Sequence, residues 1–300
     1  MDNNELFNNY TQAELPQGFR ERLDRKQINE IAFSADGSRL AAGGAERIWV
    51  YDLASGAQSA VLSGHTDRIR AIAFAPDNHT VASASEDSTL RLWDADTANE
   101  IATLAGESSS LVSALASSPD GVPLTAWNEE TARMLSGSTA DPARIRALTF
   151  SSDGNTVVSG GADGKIRVWE VETGRQLSSI AAHDGLVLTL AFSPDGKILA
   201  SGGSDTTVRL WELDSKHLLS TFTAHSDSAN ALAFSLDGKI LASGGRDPEI
   251  RLWNVKAQGL MSTIPAPEGF VWELAFWGSD QTDKQQLVSV SRDGVLSIRE

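Results

Sequence analysis

A histidine, a serine, an aspartate and a tryptophan recur three times in this sequence with identical spacing. The three sets are His65, Ser83, Asp87 and Trp93; His183, Ser201, Asp205 and Trp211; and His225, Ser243, Asp247 and Trp253. Serine, histidine and aspartate are the side chains of a nucleophilic triad, in which histidine accepts the serine proton and aspartate orients the histidine. A catalytic centre has no reason to occur three times. We therefore interpret the sets as buried hydrogen-bonded networks that hold the fold together, and we predict no catalytic residue.

Other motifs that could support chemistry are absent from the sequence. Without cysteine, the chain can form neither disulfides nor thiolate metal sites. The five histidines do not cluster with carboxylates at the spacing of metal ligands. There is no phosphate-binding Gly-x-x-x-x-Gly-Lys loop and no His-Glu-x-x-His motif. We therefore expect a protein that is not an enzyme and that has no metal and no cofactor.

The charge of the chain limits its partners. The formal net charge is −15 and the pI is about 4.7, so nucleic acids and anionic membranes are repelled at long range. The sequence contains no apolar run long enough to span a membrane and no secretory signal at its start. We therefore expect a cytoplasmic monomer that binds neither nucleic acid nor membrane.

A repeat of about 42 residues supplies the elements that position the three sets. A turn of the type Ser-x-Asp-Gly recurs along the chain, as in Ser34–Gly37 and Ser193–Gly196. Alternating apolar runs precede and follow each turn, a pattern typical of antiparallel hairpins. Each unit therefore predicts four short strands. One such sheet cannot bury both of its faces, so the units must stack radially into a ring.

The repeat resembles the WD-repeat (WD40) β-propeller family, because it contains Gly64-His65 and Trp93-Asp94 and weaker copies of the second dipeptide in other units. The seven copies of the unit that can be counted along the chain, the last of them degenerate, together with this resemblance predict an all-β, seven-bladed propeller with four-stranded antiparallel blades. The repeat also resembles bacterial WD-repeat proteins of unassigned role. We expect a single domain over residues 14–300, after a disordered tail over residues 1–13.

Two irregularities modify this expectation. The third unit is about nine residues short between Gly121 and Trp127, so we expect a truncated third blade, as a tolerated deletion or as a groove for a partner. The last unit stops at the end of its third strand. Residues 15–23 stand at the offset of an outer strand, so we expect this N-terminal segment to close the ring and remove its exposed edges.

Function is sought at positions that vary between units, because positions that repeat serve every blade. The residues three and five places after the histidine position vary widely, and the resemblance places them on the face around the central channel. Arginine and tryptophan are enriched at binding hot spots. The predicted partner face comprises Arg68, Arg70, Arg144, Arg146, Phe270 and Trp272, with Arg246 and Arg292 from neighbouring hairpins. Alternatively, these arginines only solvate the face and Trp272 packs on a neighbouring unit.

Three classes of function remain at this point. The leading interpretation is a non-catalytic scaffold for protein–protein interaction, whose partners are other proteins or acidic peptide segments attracted by the arginines. The alternatives are a sensory or ligand-binding module of a larger protein, and a propeller enzyme that uses its axial channel. The last would need convergent carboxylates or a metal at the mouth of the channel, and the sequence pattern shows neither.

Overall fold

The structure is a computed structural model, and it describes most of the chain outside the N-terminal segment and the third unit. The described residues are 28, 30–34, 36–75, 77–87, 89–105, 145–151, 153–171, 173, 175–213, 215–266, 270–277, 286–291 and 296–299. All of the regular elements in these ranges are β-strands. None of the described residues forms a helix that is long and apolar enough to cross a membrane.

The first two units each form a four-stranded sheet. The first sheet comprises β1 (Glu30–Phe33), β2 (Arg39–Gly43), β3 (Arg47–Asp52) and β4 (Gln58–Ser63). The second comprises β5 (Ile69–Phe74), β6 (Thr80–Ser85), β7 (Thr89–Asp94) and β8 (Glu100–Ala105). In both sheets consecutive strands pair antiparallel, which confirms the predicted hairpin succession.

The units after residue 144 form four further sheets. The fourth unit gives β9 (Ile145–Phe150), β10 (Thr156–Gly161), β11 (Lys165–Glu170) and β12 (Gln176–Ala181). The fifth gives β13 (Val187–Phe192), β14 (Ile198–Gly203), β15 (Thr207–Glu212) and β16 (His217–Thr223). The sixth gives β17 (Ala229–Phe234), β18 (Ile240–Gly245), β19 (Glu249–Asn254) and β20 (Gly259–Pro265). The seventh gives three described strands, β21 (Val271–Trp277), β22 (Gln286–Ser291) and β23 (Leu296–Arg299).

The Ser-x-Asp-Gly turns join the first and second strands of the units. In the sixth unit Ser235 Oγ donates to Asp237 Oδ1 at 2.7 Å and accepts from the backbone N–H of Ile240 at 2.9 Å. The glycine that follows, Gly238, has a φ of 70°, which favours a residue without Cβ. The same serine–aspartate bond occurs at Ser34, Ser151 and Ser193. The turn is therefore fixed by local chemistry.

The sheets stand around an axis with their first strands innermost. First strands of neighbouring sheets contact each other, as β13 does with β9 and with β17. The core is divided among the interfaces between sheets, where the apolar residues of one sheet pack against those of the next. The interface between the seventh and first units contains Val288 and Val290 packed with Leu40 and Ala42. The ring of described sheets is therefore closed by this contact.

The prediction of seven four-stranded blades is wrong. The described residues form five four-stranded blades and the three-stranded sheet of β21–β23. The physical reason lies between the second and fourth units, whose sheets share one core. Leu90 and Leu92 of β7 pack with Phe150 of β9 and Trp169 of β11. This direct packing leaves no other described sheet between the two units, although the repeat in the sequence continues through residues 106–144.

Three related predictions fall outside the described residues. These are the truncated blade around Gly121–Trp127, the closing strand at residues 15–23 and the tail at residues 1–13. The recurring glycine pairs, in contrast, have a visible role in packing. A Cβ on Gly244 would stand 2.5 Å from Val271 Cγ1 of the next sheet, and one on Gly160 would meet Val187 in the same way. Glycine at this position therefore lets neighbouring sheets approach closely.

Candidate functional site

The three histidine-containing sets form the predicted networks within their blades. In the second unit His65 Nδ1 lies 2.8 Å from Asp87 Oδ2, His65 Nε2 lies 2.7 Å from Ser83 Oγ, and Trp93 Nε1 donates to the same hydroxyl at 2.8 Å. The fifth and sixth units repeat these contacts at 2.8–2.9 Å. In the fourth unit Trp169 donates to Ser159 at 2.8 Å.

The direction of the hydrogen bonds in each network follows from its members. Indole N–H can only donate and an ionised carboxylate can only accept. Burial lowers the pKa of His65, and the hydrogen bond and charge of Asp87 oppose this shift without cancelling it. A neutral histidine then donates from Nδ1 to the aspartate and accepts at Nε2 from the serine. In each network the tryptophan therefore donates to the serine, the serine donates to the histidine, and the histidine donates to the aspartate.

This geometry does not support a nucleophilic serine. Ser83, Ser201 and Ser243 each have 0% exposed surface, and each hydroxyl already contacts both the histidine and the tryptophan. A substrate carbonyl could not reach such an oxygen. Within the described residues there is also no group of three His, Cys, Asp or Glu side chains that could hold a metal ion. In each network, hydrogen bonds join the strands of one blade.

The arginines two residues before each tryptophan also serve the scaffold. Arg167 Nη2 lies 2.6 Å from Asp163 Oδ2, and Arg251 Nη1 lies 2.9 Å from Asp247 Oδ2. In the second unit Arg91 pairs with Glu100 of β8 at 2.6 Å. These contacts join strands and hairpins of one blade.

The position five residues after the histidine is a β-bulge. In five of the six innermost strands the pairing with the second strand shifts at this residue, which is left without a partner in the ladder. Bulges re-aim a side chain and occur at barrel rims and next to active sites. We call these five residues the bulge ring: Arg70, Arg146, Leu188, Asn230 and Trp272. The bulge repeats from blade to blade while the side-chain type at it varies, which is the pattern expected of a common scaffold with a variable surface.

The structure describes six of the eight residues of the predicted partner face. Arg68, Arg146 and Arg246 are exposed and form no ion pair with any described residue. Trp272 is 37% exposed, and Phe270 beside it is part-buried. Arg144 and Arg292 lie outside the described residues.

The face is less uniformly positive than the sequence suggested. Arg70 is not a free cation, because its guanidinium is bonded to Glu86, with Nε 2.7 Å from Oε1. The exposed carboxylate of Asp67 lies next to Arg68 in the chain, and hydrogen bonds from Ser228 and the charge of Arg246 lower the pKa of Asp227. A partner would therefore meet separate cations and carboxylates.

A pair of carboxyl groups was missed by the sequence reasoning. Glu30 of β1 and Glu273 of β21 stand one residue beyond the bulge position, on innermost strands that contact each other. Burial, then the charge of Glu273, raise the pKa of Glu30, and Arg70 lowers it. Burial raises the pKa of Glu273 to about 8. Both residues keep some exposed surface, but protein atoms crowd their carboxyl groups.

The repeat itself carried the signal for this pair. At the same position the other described units have only small residues, namely Ala71, Ala147, Thr189 and Ala231. Two glutamates in the first and last units therefore depart from the pattern. Their proximity became visible only when the ring closed and brought these units together.

The innermost strands, the radial sheets and the repeated networks define a β-propeller. Its fold is similar to the crystal structure of the Cps50 (Swd1) β-propeller domain from Myceliophteria thermophila, with a TM-score of 0.74, 16% identity, and coverage of 91% of this chain and 96% of that one. The family model "WD domain, G-beta repeat" matches residues 56–94, 129–170, 174–212 and 216–254, more than half of the chain. The chain belongs to the WD40 family.

Curated relatives match single stretches of the chain. An uncharacterized WD repeat-containing protein of Synechocystis is 33% identical over 104 residues, 34% of this chain and 30% of the relative. The target of rapamycin complex subunit wat1 of Schizosaccharomyces pombe is 37% identical over 70 residues, 23% of this chain and 22% of the relative. Protein transport protein SEC13 of Chaetomium globosum is 40% identical over 75 residues, 22% of this chain and 26% of the relative. The matches span about a third or less of these relatives.

Proposed function

We propose that this protein is a non-catalytic platform that binds other proteins at the bulge ring and the exposed residues flanking it. The observation that carries the proposal is the contrast between a backbone bulge repeated in five blades and the four different side-chain types that occupy it. A structural requirement shared by all blades would select one side-chain type. Variation on a fixed, re-aimed backbone position is what a recognition surface needs.

The chemistry of the surface favours a peptide segment with carboxylates beside an apolar side chain. Trp272 is 37% exposed and offers a flat apolar surface, with Phe270 next to it. Arg68, Arg146 and Arg246 have no ion-pair partner among the described residues and supply donors for carboxylates. Arg70 presents an ion pair with Glu86 on this surface instead of a free cation. Relatives whose names state that they are complex subunits support a role in protein assemblies.

The absence of catalysis is part of the proposal and rests on two features. The only serine–histidine–aspartate sets of the described residues are buried inside blades, with their hydroxyl groups already bonded. The carboxyl pair Glu30 and Glu273 is accompanied by no third carboxylate or histidine that would complete a metal site in the described part of the chain. A scaffold requires neither.

The test compares partner capture by three forms of the protein. The first is the unchanged chain, and the second carries Arg146→Ala and Trp272→Ala. The third, a matched control, carries Ile101→Ala and Leu260→Ala, which truncate exposed side chains on the outer strands β8 and β20. Proteins from the source lysate that bind the first and third forms and not the second would support the proposal. Equal capture by all three forms, at equal melting temperature, would refute it.

A further inference from the structure

The contact between β1 and β21 joins the first and last described sheets, and it differs from the other contacts between innermost strands. It is the only one of these described contacts that has a carboxyl group on both strands, Glu30 and Glu273. One of its two sheets, β21–β23, has three described strands where the others have four. The joint that closes the described ring thus combines two acidic groups with its smallest sheet.

The charged groups around the pair are few. From β5, the guanidinium of Arg70 faces Glu30, but it is already bonded to Glu86. From β2, Arg39 lies at the opposite end of the strand and pairs with Asp96 at 2.6 Å. In the described residues, β17, β18 and β22, which pack against β21, carry no titratable side chain. Glu273 therefore has no cation assigned to it within the described part of the chain.

Two carboxylates in this position repel each other, while one proton removes the repulsion. Like charges that share a site cannot both ionise without a cost, and crowding by protein weakens the solvation that would otherwise reduce it. We propose that the contact between β1 and β21 is a pH-sensitive joint, closed while Glu30 and Glu273 carry at least one proton between them and loosened when both are ionised.

The joint has a direct connection to the partner face. Trp272 belongs to β21 and immediately precedes Glu273, and Phe270 precedes the strand. Loosening β21 from β1 would shift both aromatic side chains. The effect on partner binding rests on the proposed function, whereas the pH-sensitive joint itself does not. Partner binding at the bulge ring should then weaken as the pH rises.

The sign of the pH effect follows from the shifted groups. Opening the joint returns the carboxyl groups to water, where glutamate ionises near 4.5, while burial holds the pKa of Glu273 at about 8. Between these two values opening releases protons, so the closed form is fully favoured below about pH 4.5 and loses this advantage as the pH rises to about 8. For each proton released, the opening equilibrium constant increases up to tenfold per pH unit.

Hydrogen exchange measured by mass spectrometry tests the joint without any partner. Exchange is followed from pH 5.5 to 8.5 in peptides that cover β1 and β21 and is corrected for the chemical exchange rate. Peptides from β13, which has Thr189 at the equivalent position, serve as the internal reference. Protection of β1 and β21 should fall relative to β13 as the pH rises, by up to tenfold per unit.

Three variants complete the experiment. Glu273→Gln and the double change Glu30→Gln with Glu273→Gln keep the side-chain shape and should abolish the pH dependence. Glu212→Gln, which removes an exposed carboxylate on β15, should leave it intact. The same pH dependence in the unchanged chain and the double variant would overturn the inference, and so would equal loss of protection in all innermost strands. Partner capture at pH 6 and 8 is a separate arm, so a correct joint and an incorrect partner face would be told apart.

Discussion

Removal of the single hydroxyl group of the serine at the centre of each network should cause a large loss of stability. In Ser243→Ala, Trp253 Nε1 loses an acceptor 2.9 Å away and His225 Nε2 loses its donor at 2.9 Å. Both groups are buried, so water cannot reach them to replace the lost hydrogen bonds. A buried group left without a partner costs about 1–3 kcal/mol. Two such groups predict a loss of about 2–6 kcal/mol in the free energy of unfolding.

The fourth unit provides a matched comparison within the same chain. Ser159 receives only the indole N–H of Trp169 at 2.8 Å, and no described histidine contacts it. Ser159→Ala leaves one buried group without a partner, so its cost should be about 1–3 kcal/mol, roughly half that of Ser243→Ala. Ser83→Ala and Ser201→Ala, whose networks are complete, should match Ser243→Ala.

Equilibrium urea unfolding followed by circular dichroism measures these differences. A valid comparison requires equal slopes of the unfolding transition, because a changed slope would indicate partly folded states. If Ser243→Ala costs no more than Ser159→Ala, the bond between serine and histidine contributes nothing measurable. The interpretation of the histidine as part of a stabilising network would then be wrong.

Three further predictions address packing, protonation and the contact between blades. Gly244→Ala should destabilise the protein by about 1–3 kcal/mol, because the added Cβ overpacks against Val271. Gly259→Ala, where the nearest neighbouring atom to an added Cβ is 3.9 Å away, should not destabilise it. Urea unfolding measures both, and equal costs would contradict the packing role of the glycine pairs. Burial lowers the pKa of His65, His183 and His225, so the folded state resists their protonation and the stability they provide should be lost as the pH falls below about 6.5. Imidazole titration by NMR checks this, and midpoints at or above 6.5 would refute it. Asp96→Asn removes the carboxylate that Arg39 and His79 both contact at 2.6 Å. Because these side chains are partly exposed, the loss in the free energy of unfolding should stay below about 1 kcal/mol and decrease with added salt. A loss that does not change with salt in urea unfolding would contradict this prediction.

The sequence by itself determined most of what depends on chemistry within one unit, although it did not predict the bond between Arg70 and Glu86 in the second unit. The Ser-x-Asp-Gly turns form because serine, aspartate and glycine satisfy a tight turn locally, as at Ser235 and Gly238. The histidine networks form because their members stand at fixed offsets on paired strands, as Leu241 pairs with Trp253 in β18 and β19. The all-β architecture and the variable position that holds Arg70, Arg146 and Trp272 could be read from the same internal alignment, but the bulge at that position could not.

Only the tertiary structure decided what depends on neighbouring units. A repeat in sequence indicates that a unit resembles a blade, but packing between sheets decides which blades meet. Leu92 and Phe150 share one core although a further unit of the repeat lies between them in the chain, and the prediction of seven blades failed there. Closure of the ring likewise brought Glu30 to Glu273, which belong to the first and last units. The electrostatics of this carboxyl pair therefore arise from a contact between residues distant in sequence, which no local pattern contains.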